Sequence, residues 1–320
     1  MWGSRSNSGE LGEGSDEPVM MKAGVVRAFG PPAALKVESV PIPSLSEPNE
    51  VLTKVFATGV NPVDTYIRAG KYAKLPQLPY TPGAEGAGVV AKVGADVKHV
   101  KVGDRVYVTG TITGTYAQYS LCAARDVRLL PQRISFAQGA AVSVAYRTAY
   151  RALFQKSSPN PGETVLIHGA SGGVGLAAVQ LAVSRGLKVF GTASTDVGKE
   201  AILEHGAAAV FDHTSPTYVQ EIQRAAPPEG IRLIVEMLAN INLNNDLKVS
   251  CGTREEWEAA YCAIDAGMSS GALVPHVGKT FPLDDAATAH IDVMEHVGGA
   301  HGKLVLLPWP EETAEDVVCL

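Results

Sequence analysis

The run Val165-Leu166-Ile167-His168-Gly169-Ala170-Ser171-Gly172-Gly173-Val174-Gly175 constrains this chain more than any other stretch. Its apolar start predicts a buried parallel strand, because a strand covered on both faces needs no polar alternation. The glycines predict a tight turn, and Leu176-Ala177-Ala178-Val179-Gln180-Leu181-Ala182 is a good helix former. Strand, glycine turn and helix start, in that order, form the first unit of a dinucleotide-binding fold. The spacing gives Gly172 the turn, Gly173 the close approach to a pyrophosphate, and Gly175 the close packing of helix on strand. Ser171 and Val174 complete a loop whose N–H groups, with the positive end of the helix dipole, would face the phosphates.

The pattern repeats after this unit. Strands are predicted at 164–169, 187–192, 209–212 and 231–236, and helices at 174–185, 196–205 and 217–226. Such alternation implies a parallel sheet with crossover helices. Residues 21–143 read as β-rich instead. Short runs such as Val51-Leu52-Thr53-Lys54-Val55 and Gly88-Val89-Val90-Ala91-Lys92-Val93 are separated by turn clusters at Asn61-Pro62, Thr81-Pro82-Gly83 and Val102-Gly103-Asp104-Arg105. After Pro275 the pattern is mixed, and 302–307 predicts a closing strand that returns to the first domain.

A length of 320 residues suits about two domains with a large core. The net charge of −6 lies in the ends: residues 1–20 carry −3 and 311–320 carry −4, which leaves +1 for the rest. That balance gives no bulk attraction to nucleic acid. No apolar run reaches the ~18–20 residues of a membrane span, and the polar start lacks the apolar core of a signal peptide. Cys122, Cys251, Cys262 and Cys319 have no paired spacing, which fits reduced thiols and a cytoplasmic location.

The order of a β-rich domain, a late dinucleotide fold and a C-terminal return resembles the medium-chain dehydrogenases/reductases. Gly59-Val60-Asn61-Pro62-Val63-Asp64-Thr65-Tyr66-Ile67-Arg68 and Pro79-Tyr80-Thr81-Pro82-Gly83 resemble the quinone oxidoreductase branch. So do Gly162-Glu163 ahead of the glycine turn and Gln180 after it. Ile234-Val235-Glu236-Met237-Leu238-Ala239-Asn240 narrows the resemblance to the zeta-crystallin type. The resemblance covers 21–249 and 250–308. It implies an α/β protein in which 21–143 with 276–310 form a GroES-like substrate domain. A Rossmann-type, doubly wound parallel sheet occupies 144–275, flanked by a disordered extension at 1–20 and an acidic tail at 311–320. It further implies NADPH as cofactor, a small-molecule quinone as substrate, a homotetramer and, for some members, binding of AU-rich mRNA. No RNA-binding motif stands in the sequence itself.

Zinc-dependent relatives draw ligands from the segments matching 57–59 and 83–86. Those ligand positions hold Thr58 and Ala84 here, which cannot replace a thiolate and an imidazole, so no metal is expected. The second strand ends in Gly191-Thr192-Ala193-Ser194 without the acid that binds an NAD ribose. Ser194 leaves room for a 2′-phosphate, and Lys199 and His213 would offer charge or donors to it. By resemblance Asn61, Tyr66 and Tyr72 line the cleft over the nicotinamide, where phenols can bond a quinone oxygen. Thr148 matches a threonine that faces the nicotinamide, and Asn242 is also assigned to the cofactor. Turn or packing roles for these residues remain open alternatives.

The resemblance breaks after Asn242. The family continues into a helix, a glycine-ended strand beside the nicotinamide and a further strand. Here Asn242-Leu243-Asn244-Asn245-Asp246-Leu247-Lys248-Val249 runs straight into Ser250-Cys251-Gly252-Thr253 and an amphipathic helix at 254–266. Roughly 30 residues are missing, about one strand–helix–strand unit. The expected function is a zinc-independent NADPH:quinone reductase, impaired by that loss. Alternatives are a non-enzymatic NADPH- or RNA-binding protein of crystallin type, and an enone or enoyl reductase. The family's tetramer is doubtful without the missing unit.

Overall fold

The structure is a computed structural model that describes residues 18–236, 254–295 and 301–309. Thr164–Ile167 forms a fully buried strand, and Gly173–Ser184 is the helix that follows its glycine turn. Lys188–Thr192, Ala209–Phe211 and Leu233–Val235 join it in a four-stranded parallel sheet. Numbered along the chain, the spatial order is 3-2-1-4, the arrangement that opens a doubly wound dinucleotide fold. Both faces of the sheet are covered. Val165 and Ile167 pack with Leu176, Val179 and Ile202, while Leu166 packs with Phe190, Phe211 and Ile222. Burial on two sides is the reason the strand reads as an unbroken apolar run.

Among the described residues the fourth strand is an edge, because Leu233–Val235 pairs with Thr164–Ile167 alone. Ile234 stands level with Leu166, on the Phe190 side of the sheet, yet is 57% exposed. A doubly wound sheet would continue at this edge with further strands and a covering helix. Asn242 and the junction after it fall in 237–253, outside the described residues. The chain resumes in the helix Arg254–Ser270, a full turn longer than 254–266.

The β-rich part builds a seven-stranded sheet. Its central strand Glu50–Val60 pairs with Gly86–Val93 on one side and Lys303–Leu307 on the other, and Tyr119–Ala123 also pairs with it. Lys303–Leu307 therefore returns from the far end of the chain, antiparallel, with Leu304 opposite Val60 and Leu306 opposite Thr58. Asn61-Pro62, which resembled a simple turn, instead starts the helix Pro62–Arg68, where proline presets φ at the first helical position. One cluster of buried side chains runs from Ala57, Ala87 and Tyr107 through Phe136 and Tyr146 to Val165 and Leu176. The two sheets thus share a core.

Candidate functional site

Three strand ends converge where the two sheets meet. The register that sets Leu304 opposite Val60 brings Lys303 level with Asn61, and Glu85 precedes Gly86, which faces Thr58. Lys303 Nζ lies 2.7 Å from Glu85 Oε1 and also donates to Asn61 Oδ1. Asn61 Nδ2 donates to the same Glu85 oxygen at 2.8 Å. Glu85 Oε2 accepts the Val144 N–H at 2.7 Å, in the first turn of the helix Ser143–Tyr150, where a carboxylate favours the helix dipole. The side chains of Lys303 and Glu85 are 8% and 1% exposed, so the pair is out of water. An added Cβ at Gly59 would sit 2.6 Å from Glu85 Oε1 and 2.5 Å from Ala140 O, so only glycine admits the carboxylate.

Asn61 occupies the cap position of Pro62–Arg68 in a capping box with Asp64, and its side chain also meets Glu85 and Lys303. Asp64 closes the first turn, accepting the Asn61 N–H at 2.9 Å. Behind Asp64 lies a buried polar chain. Tyr116 OH donates to Asp64 Oδ2 at 3.3 Å, His290 Nε2 is 3.2 Å from Tyr116 OH, and Arg68 Nε donates to His290 Nδ1 at 3.2 Å. Arginine can only donate, so Nδ1 accepts and the His290 proton sits on Nε2. Burial pushes the Asp64 carboxyl up to about 6. Burial, and then the Arg68 charge, push His290 down to about 3.

On its other side Lys303 meets the glycine turn. The Gly302 N–H donates to Ser171 O at 2.9 Å, and an added Cβ on Gly173 would find Lys303 Cδ at 3.5 Å as its nearest atom. The helix Gly173–Ser184 begins without a side-chain cap, which leaves the N–H groups of Val174 and Gly175 for a ligand. That cradle, at the positive end of the helix, fits a pyrophosphate. The left-handed residue of the turn is Gly169, at φ 60. Gly172 sits at φ −75, a conformation open to any residue, so the turn task read for it passes to Gly169. At Gly175 an added Cβ would lie 2.4 Å from Gly169 O and 2.6 Å from Ala170 Cα, too close for any side chain.

A second group lies past the end of the Lys188–Thr192 strand. Ser194 is exposed there, and Thr195 caps the helix Asp196–Glu204 by accepting the Gly198 N–H. An added Cβ on Gly198 would sit 2.8 Å from Ser171 Cβ, so this helix starts against the glycine turn. Lys199 Nζ, on that helix, is 2.7 Å from Asp212 Oδ2 and 3.4 Å from Asp196 Oδ1. The Lys199 and Thr214 hydrogen bonds hold the Asp212 carboxyl well below the usual carboxylate range. A 2′-phosphate would therefore have to share Lys199 with Asp212. His213 Nδ1 is buried without a hydrogen-bond partner among the described residues.

Of the remaining candidates, Tyr66 is half-buried on the helix that Asn61 begins, and Tyr72 is half-buried in the loop beyond it. Thr148 is exposed on the helix whose first turn Glu85 holds. Direct contacts thus tie Asn61 through Lys303 to the glycine turn. Sequence reasoning missed Lys303 and Glu85 as members of this site. The dipeptide Gly302-Lys303 at the start of the closing strand was the available signal.

Residues 47–132 match the family described as alcohol dehydrogenase GroES-like domain, and residues 173–251 match the zinc-binding dehydrogenase family. The chain is 43% identical to a quinone oxidoreductase of Pongo abelii and 42% identical to that of Homo sapiens, over 326 residues that span 90% of this chain and 98% of each relative. Ninety per cent of 320 residues is about 288, so some 38 of the 326 aligned positions hold no residue of this chain. That shortfall is comparable to the roughly 30 residues expected to be missing after Asn242. The solved structure of Escherichia coli quinone oxidoreductase complexed with NADPH superposes with a TM-score of 0.73 at 28% identity, covering 90% of this chain and 99% of that one.

The zinc in the name of the second family finds no fitting donors at the positions that supply it in zinc-dependent relatives. The Thr58 hydroxyl is committed to Thr115 Oγ1 at 2.6 Å and Glu85 O at 2.9 Å, and Ala84 has no donor atom to offer. Among the described residues no group of three or more His, Cys, Asp or Glu side chains could hold a metal ion. No described helix is long and apolar enough to cross a membrane. With its identity to these relatives running along nearly their whole length, the chain belongs to the quinone oxidoreductase family of medium-chain dehydrogenases/reductases.

Proposed function

We propose that this chain binds NADPH and passes reducing equivalents from it to a quinone without a metal. The observation that carries this reading is the linkage from the glycine turn at Ser171, hydrogen-bonded to Gly302, through the adjoining Lys303 side chain to Asn61. This linkage supports reading a phosphate cradle at the glycine turn together with a substrate-side polar group at Asn61. Bound NADPH supplies the reducing equivalents, and a quinone is electron-poor enough to accept them without a Lewis acid. Ser171, Gly172, Gly173, Val174 and Gly175 hold the pyrophosphate in this reading. Ser194, Lys199 and His213 receive the 2′-phosphate, Thr148 and Asn242 border the nicotinamide, and Asn61, Tyr66 and Tyr72 orient the quinone. The substrate domain comprises 21–143 with 276–310, the cofactor domain 144–275, and the chain works in the cytoplasm.

The open edge at Leu233–Val235 sets a limit on this activity. Among the described residues no further strand flanks this edge, and in this reading the nicotinamide half of the cofactor is held less well than the adenosine half. Turnover is correspondingly low, and the chain is a monomer or self-associates in place of the family's tetramer. Calorimetric titration with NADPH and NADH tests the cofactor assignment. NADPH should bind more tightly, and Lys199→Ala should remove about 1.5 kcal/mol of that preference, the lower end for a charge-assisted contact because Asp212 shares the lysine. Equal or tighter binding of NADH would overturn the assignment.

A further inference from the structure

The orientation of a buried amide is set by what its neighbours can and cannot do. An ammonium only donates hydrogen bonds, and an ionised carboxylate only accepts them. Lys303 Nζ therefore fixes Oδ1 of Asn61 on its own side, and Glu85 Oε1, at 2.8 Å, fixes Nδ2 on the other. A flipped amide would set NH₂ against the ammonium and oxygen against the carboxylate, both repulsive. Lys303 and Glu85 are themselves 2.7 Å apart and buried, so neither can swing away into water. Two donors then remain over: the second N–H on Asn61 Nδ2 and the third N–H of the Lys303 ammonium. The spare lone pair on Oδ1 lies beside a cation and is a poor acceptor.

We propose that Lys303 is a positioning residue that, with Glu85, locks the Asn61 amide so that it offers a ligand a hydrogen-bond donor only. The site then selects an acceptor oxygen, such as a quinone carbonyl, over a ligand that must donate from a hydroxyl. This inference rests on the quinone-reducing reading above and adds the basis on which the oxidised acceptor is recognised. Removing Lys303 alone does more than delete one contact. It strands Glu85 as a buried carboxylate without a counter-charge and takes away the cation that holds the amide oxygen in place. Asn61 is thereby freed to flip.

The test compares the unaltered chain with Lys303→Met, Lys303→Arg and the double variant Lys303→Met/Glu85→Gln. Three quantities are read: thermal stability, affinity for 1,4-naphthoquinone in the absence of NADPH, and the NMR signals of the Asn61 side-chain amide. Lys303→Met should lose stability and weaken naphthoquinone binding about tenfold, the value of one net hydrogen bond. The double variant, with no buried charge left, should recover stability but not quinone affinity, and its Asn61 amide protons should shift from their original positions. Lys303→Arg, still a pure donor, should recover part of the affinity. A double variant that regains both stability and quinone affinity would show that the ion pair is merely structural and would overturn the proposal. An unaltered chain that binds no naphthoquinone would overturn the quinone reading itself, and this inference with it.

Discussion

Asp64 and His290 are joined through Tyr116, and burial drives their titrations in opposite directions. The folded carboxyl of Asp64 titrates near about 6, above its usual 3.8, so the stability it contributes is present below 3.8 and lost as the pH rises through 6. His290 titrates near about 3, below its usual 6.5, so its contribution is present above 6.5 and lost as the pH falls through 3. Between pH 7 and pH 5 the two oppose each other. On that descent protonation of Asp64 stabilises the fold by about 1 kcal/mol, while His290 costs about 2 kcal/mol, at roughly 1.36 kcal/mol per pKa unit. The two contributions therefore largely offset each other. Each partner hides the other in the unaltered chain, and single substitutions should expose them. His290→Gln keeps an acceptor for Arg68 and a donor for Tyr116 but does not titrate. Relative to the unaltered chain it should gain about 2 kcal/mol of stability as the pH drops from 7 to 5. Asp64→Asn should lose about 1 kcal/mol over the same interval. Urea unfolding of the three proteins at both pH values measures this, because differences between them cancel every other titrating group. Parallel pH dependence in the unaltered chain and His290→Gln would refute a neutral buried His290.

The two glycines of the turn should fail in different ways. Gly175→Ala meets rigid backbone at 2.4 Å and should cost about 3 kcal/mol or more of stability. Gly173→Ala meets only the flexible Lys303 stem at 3.5 Å, so circular dichroism should show a normal fold while calorimetry shows weakened NADPH binding. Elemental analysis of the purified chain should find no stoichiometric zinc, and a chelator should leave its melting temperature unchanged.

The sheet around the glycine turn was legible because its signals are local. The apolar strand 164–167, the helix former behind it and the repeated alternation to 236 all lie within short windows, and the structure places strands and helices close to the predicted bounds. The closing strand was legible for the same reason, since Lys303-Leu304-Val305-Leu306-Leu307 is an apolar run after a glycine. Its contacts were not. Lys303 meets Asn61 across 242 positions of sequence, and only the antiparallel register with Glu50–Val60 decides that meeting. Glu85 looked like a bystander in a segment scanned for zinc ligands. Its role came from the Gly59 gap that admits it and the helix start at Val144 that it caps. Lys199 looked like a free cation because its partner Asp212 arrives from the neighbouring strand end, 13 residues on. The glycine spacing named Gly172 for the turn, whereas the backbone needs its left-handed residue at Gly169, a distinction that only dihedral angles make.

The most direct measurement is the rate of NADPH oxidation by the purified chain with an ortho-quinone acceptor, with NADH as control, beside a version in which the missing strand–helix–strand unit is restored after Asn242. The expected result is quinone-dependent oxidation that prefers NADPH in both proteins, with lower turnover and a smaller mass in solution for the short chain. A restored chain that oxidises no NADPH with any quinone, or that prefers NADH, would contradict the proposed function. Equal turnover and an equal, stable oligomer in the short chain would show that the open edge at Leu233–Val235 is harmless and that the strand order inferred for the missing unit is wrong.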